Sequence, residues 1–192
     1  MRTLPLLLLV PVLVIACAPV KLIENTRVSI GDTYSVDPQL RWASVPARPG
    51  LDLWTVDGAA LDSVMFIKGV ADGEAVFRGP IRSGAPDDDK RPKLRTEMTP
   101  SDIAELFVDS YALFRNQKLE TAGLRPEKFG TEDGFRFEMT WVTPAGLEMQ
   151  ALVAGAIIKK RLHAVVYSGA RAHYFPKYRD AVEKLLTSIK LQ

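Results

Sequence analysis

Apolar and polar residues alternate with a period of two through Phe135, Phe137, Met139 and Trp141, which are separated by Arg136, Glu138 and Thr140. Successive side chains of a strand point to opposite faces, so this run predicts a half-buried strand. Thr143-Pro144-Ala145-Gly146 follows as a type I turn, with glycine at the left-handed bulge position. Such a turn places Thr143 opposite Leu147, Trp141 opposite Met149 and Met139 opposite Ala151. The apolar sets then share one face, and Glu138, Thr140, Glu148 and Gln150 share the other. Turn chemistry and hydrophobic pattern select the same register.

The second strand continues from Ala151 to Ile158, turns at Lys159-Lys160-Arg161 and returns as Leu162 to Tyr167. Earlier in the chain, short turn-bounded runs at 26–30, 40–45, 51–56 and 63–70 also read as strands. Helical spacing appears twice. Thr99 is suited to cap a helix, Pro100 to its first position and Asp102 to its positive end. Ile103, Leu106, Phe107, Tyr111 and Phe114 then define one buried face. From about Ala172 to Ser188, Tyr174, Phe175, Tyr178, Val182, Leu185, Leu186 and Ile189 recur at helical intervals, with charged residues opposite. Residues 71–98 mix glycine, proline and charge and predict an irregular segment.

Strands, helix, strands, helix, with most strands adjacent in sequence, predict an α+β domain: a mostly antiparallel twisted sheet with two main helices packed on it. The Thr99-Pro100 helix start, the meander from Phe135 to Tyr167 and the terminal Tyr174 to Ile189 helix resemble the PsbP-like family. That resemblance rests on element order over most of residues 26–192. It implies an antiparallel sheet flanked by helices, and either a role in binding protein partners or none known, without catalysis.

The amino terminus has a different pattern. Met1-Arg2-Thr3 carries one positive charge, and a nearly unbroken apolar run extends from Leu4 to Ala16. This is the charged and apolar layout of a secretory signal. It is shorter than the roughly 20 residues of a spanning helix, and Pro5 and Pro11 interrupt it. Val14-Ile15-Ala16-Cys17 resembles the lipobox of bacterial lipoproteins. The resemblance implies cleavage after Ala16, a diacylglycerol on the Cys17 thiol and an acylated amine. Ala18, in place of the aspartate that retains lipoproteins at the inner membrane of enteric bacteria, implies the outer membrane, facing the periplasm. Residues 1–16 are therefore expected as signal peptide, 17–25 as lipidated tether and 26–192 as one domain.

Without the signal, about 176 residues remain, enough for one domain with its own core. Charged residues make up 25% of the chain and the net charge is +2, which argues against a nucleic-acid or anionic-membrane binder. Cys17 is the sole cysteine, so the domain has no internal disulfide and depends on its core.

Candidate chemistry is sparse. His163 and His173 are the two histidines, with no second cysteine and no HExxH spacing to complete a metal site. Asp87-Asp88-Asp89 lacks the spacing, glycine and closing glutamate of a calcium loop, and Lys90, Arg91, Lys93 and Arg95 nearly neutralise it. No GxSxG, P-loop or GxGxxG is present. Glu138 and Glu148 share a sheet face, as acid–base partners would, but polar residues on that face are also what a solvated antiparallel sheet shows. Trp42 and Trp54 are candidates for a ligand pocket, and Trp141 for the core. Residues 71–98 form a second candidate, since long irregular loops often carry function.

No catalytic residue, metal or cofactor is expected. The chain reads as a non-enzymatic lipoprotein, held in the bilayer by acylated Cys17 and binding a protein or envelope partner. The alternative is a carrier of a small ligand or lipid, with a cavity between helix and sheet. An envelope hydrolase would have to rest on Glu138 or His163.

Overall fold

The computed structural model describes residues 20–82 and 84–192. Residues 1–16, expected as a signal peptide, and Cys17 lie outside the described residues. The hairpin read from the sequence forms in the expected register: β8 (Glu132–Val142) pairs with β9 (Glu148–Ile158), with Met139 opposite Ala151 and Trp141 opposite Met149. The turn closes through the Thr143 amide on the Leu147 carbonyl at 2.9 Å, with Gly146 at φ +82°. An L-residue strains at that angle, which is why glycine stands there.

Around this hairpin, β10 (Arg161–Ala170) pairs with β9 and with β6 (Asp62–Ala71). Beyond β6 come β5 (Leu51–Thr55), β4 (Trp42–Val45) and β1 (Lys21–Ile23). On the other flank β7 (Gln117–Phe129) closes the eight-stranded order β1-β4-β5-β6-β10-β9-β8-β7, antiparallel throughout. A small sheet of β2 (Val28–Ile30), β3 (Tyr34–Val36) and β11 (Lys190–Leu191) packs beside it.

Two of these strands correct the sequence reading. Lys21–Ile23, placed in the tether, is the edge strand β1, because Ile23 buries its side chain opposite Trp42. Gln117–Phe129 carries no apolar alternation and is mostly exposed, so its pairing with β8 makes it a strand. It is an edge strand interrupted by register shifts at 117/120 and 122/125, with Pro126 in its length. Proline and bulges are tolerated at edges, where no neighbour needs the missing amide.

α1 (Pro100–Ala112) starts as expected. The Asp102 amide donates to the Thr99 side chain and the Thr99 amide to the Asp102 carboxylate, a reciprocal cap that contributes about 1 kcal/mol. Its buried face (Ile103, Leu106, Phe107, Tyr111) rests on Phe137 and Trp141 of β8. α2 (Tyr174–Thr187) covers the opposite face of the sheet. It comes close to β10 because Gly169 has no side chain: a Cβ there would lie 2.7 Å from the Phe175 nitrogen.

The sheet thus separates two cores. One lies under α1 and the 71–98 segment, and the other under α2 and the small sheet. The fold is the expected α+β arrangement, two helices on a mostly antiparallel sheet.

Candidate functional site

The residues singled out by sequence are scattered. His163 is buried in β10, while His173 is exposed at the start of α2, past the other end of that strand. Burial first, and the Arg161 charge second, hold His163 below the ordinary histidine range. Its ring meets Tyr34 edge-on at 6.1 Å. Among the described residues no group of three or more His, Cys, Asp or Glu side chains gathers for a metal.

Glu138 and Glu148 share a face but lie four positions apart along the β8–β9 ladder, on the order of 13 Å at strand spacing. Glu138 accepts from Arg179 at 2.6 Å and from Gln150 at 2.8 Å, and Glu148 lies 4.0 Å from Arg171. The face expected to be solvated is instead covered by α2. There the largely buried Arg136 guanidinium forms a two-pronged pair with Glu183, which holds that carboxyl below its usual range. Charges on α2 answer charges on the sheet, so this seam is structural.

Trp42 is wholly buried, with Nε1 donating to the Pro38 carbonyl at 2.9 Å, and Trp54 packs on Phe66 at 4.5 Å. Both belong to the core under α2. Trp141, the tryptophan expected only to pack, is the one that reaches a cavity.

The described residues of the 71–98 segment form a lid on the α1 side. Val76, Phe77 and Leu94 are buried, and Ala75 bridges Lys93 as a single antiparallel rung. Arg91 donates to the Phe77 and Gly79 carbonyls at 2.8 Å and to Pro86 at 2.9 Å, tying the two arms together.

Where the lid, the end of α1 and strands β5 and β6 meet, an open groove of about 440 Å³ remains. Leu51, Leu53, Met65 and Trp141 make its floor, all from the sheet. Its wall is aromatic: Tyr111 lies 5.0 Å from Trp141 and 5.4 Å from Phe77, and Phe77 lies 5.1 Å from Phe114, all edge-on. Edge-to-face contacts of this kind fix ring orientation beyond what burial alone does. Arg48 sits on the rim, 5.5 Å over the Phe114 ring, and donates to the Pro80 carbonyl of the lid. Asn116 donates to the Tyr111 carbonyl at 3.0 Å. Burial pushes the Tyr111 hydroxyl well above its ordinary range, so it stays protonated.

The residues lining the groove include no Ser, Cys, His, Asp or Glu, and its one phenol, Tyr111, is held protonated by burial. They offer shape and apolar surface. Its volume lies within the range of small-molecule sites, about 300–1,000 Å³. A smaller depression of about 180 Å³ beside β7 is lined by charges of both signs, among them Lys118, Glu120, Glu148 and Arg171.

No family model matches the chain, and no curated protein matches it by sequence. Solved structures do. The solution structure of a cyanobacterial PsbP (CyanoP) from Synechocystis sp. PCC 6803 is similar with a TM-score of 0.58 and 14% identity, over 93% of this chain and 99% of that one. The crystal structure of LpqN, involved in cell envelope biogenesis of Mycobacterium tuberculosis, aligns with a TM-score of 0.39 and 8% identity, over 87% and 82% of the two chains. At that identity the first likeness speaks to architecture: the chain has a PsbP-like fold.

Proposed function

We propose that this chain is a lipoprotein of the bacterial cell envelope that acts by binding, and that the groove between α1, the lid and β5–β6 seats an apolar group of its envelope partner. The single observation that carries the binding role is the groove itself: aromatic, open, and lined without Ser, Cys, His, Asp or Glu. The anchor rests on the lipobox-like Val14-Ile15-Ala16-Cys17. Metabolic labelling with a radioactive fatty acid, lost in Cys17→Ala, supports it, and unchanged labelling ends it.

The binding role is tested by photo-crosslinking in intact cells from a photoreactive residue at Ala47, on the groove rim, against one at Leu124 on the far edge. Products specific to position 47 that vanish with Leu53→Arg support the reading. The same products from both positions overturn it.

The volume of the groove also favours a second reading, a carrier of one free apolar ligand. Native mass spectrometry separates the two: a retained adduct lost in Leu53→Arg means a carrier, and a clean protein mass means a partner that brings the group with it.

A further inference from the structure

The α1-side face of the sheet is only partly covered. Its core ends at Leu53 of β5, and no apolar residue of β4 or β1 belongs to it. The ladders continue the same face outward from Leu53 to Val45, and through Ala43 to Leu22. Val45 and Ala43 are half-buried and Leu22 is 49% exposed, whereas its neighbour Ile23, pointing the other way, is 8% exposed. Val20, just before the strand, is 62% exposed. An apolar strip therefore runs from the groove to the amino-terminal edge of the sheet, ending where the described chain begins.

The chain's connectivity indicates what covers this strip. Cys17 stands five residues before Leu22 and can be at most about 18 Å from it. A domain of about 170 residues has a radius of gyration of about 15 Å. The tether is thus about as long as the domain's own radius, and a lipid on Cys17 holds this edge near the bilayer.

We infer that the strip of Val20, Leu22, Ala43 and Val45 is the surface on which the protein rests against a phospholipid bilayer. This rests on the lipidation of Cys17 proposed above. It puts the groove mouth at Pro46 and Ala47, directly after Val45, at the lipid interface.

The test uses the mature lipidated chain in phosphatidylethanolamine–phosphatidylglycerol vesicles. Lipidation occupies the sole native cysteine, so Leu22→Cys and Leu124→Cys each supply one free thiol for an environment-sensitive fluorophore. Leu124 is also exposed, at 39%, but lies on β7 at the opposite edge. Quenching by spin-labelled lipids is expected to be at least threefold stronger at position 22. Equal quenching at both positions in chains that float with the vesicles overturns the proposal and leaves the anchor intact. Chains that do not float, with an intact mass lacking lipid, overturn both. Shielding of position 22 without vesicles, rising with protein concentration, assigns the strip to a second copy of the chain and overturns the proposal.

Discussion

The two faces of one sheet have been finished in opposite ways. Beneath α2 and the small sheet, Trp42, Tyr34, Phe66 and Tyr167 are fully enclosed, and Arg136, Glu138, Arg179 and Glu183 lock helix to strand in a polar seam. Beneath α1 and the lid the contacts are almost wholly apolar, and the cover stops short of β4 and β1. A face closed by directional charge pairs has one arrangement and little room for a guest. A face closed by apolar contact alone can leave a groove without stranding a polar group. Enclosure is most complete on the first face, and the open groove lies on the second.

That contrast is most exposed to test by truncation. Trp42→Ala, deep in the α2-side core, is expected to cost about 3–5 kcal/mol in urea unfolding. Leu53→Ala, at the groove, should cost about 1–2 kcal/mol because its side chain is only partly buried. Equal losses would mean that the groove is core.

The next largest effect probes the seam. Arg136→Ala leaves Glu183 without its main partner and should cost about 2–3 kcal/mol, below the value for a fully buried pair because Glu183 is 32% exposed. The double variant with Glu183→Gln should recover part of that loss. Additive losses from the two changes would show that the pair does not couple.

A smaller effect lies in pH. Folded His163 is held below its ordinary value of 6.5, so between the two values the unfolded chain binds the extra proton. The stability tied to a neutral His163 is complete above about pH 6.5 and is lost as pH falls through the folded value. Urea midpoints at pH 7.5 and pH 5 should differ less in His163→Leu than in the parent. An unchanged difference would place the acid sensitivity elsewhere.

Smallest is the cap. Thr99→Ala should cost about 1 kcal/mol and lower the helical signal of α1, read by circular dichroism and denaturation.

Legibility in the sequence follows the same division. The β8–β9 hairpin was readable to the residue because a turn and a period-two pattern each impose a register, and they agree. α1 was readable from its cap and α2 from its periodicity, Tyr174–Thr187 against an expected 172–188. β7 was not, because an edge strand buries little and so leaves no apolar alternation. The polar face of the hairpin was read as solvated, since local pattern does not show that Arg179 and Glu183 arrive from forty residues away. The groove was hidden for a related reason. Leu53, Met65, Phe77, Phe114 and Trp141 come from separate segments, and each alone looks like an ordinary core residue.

β7 has a further consequence once the molecule is considered in company. A long outer strand offers a row of unpaired amides and carbonyls, a template on which another chain can polymerise. Any setting that concentrates this protein brings such edges together often. The two register shifts and Pro126 break the row, and Lys118, Glu120, Arg125 and Lys128 keep it charged and wet. What reads as a poorly formed strand is a guard against fibre growth, carried at the edge opposite the amino terminus.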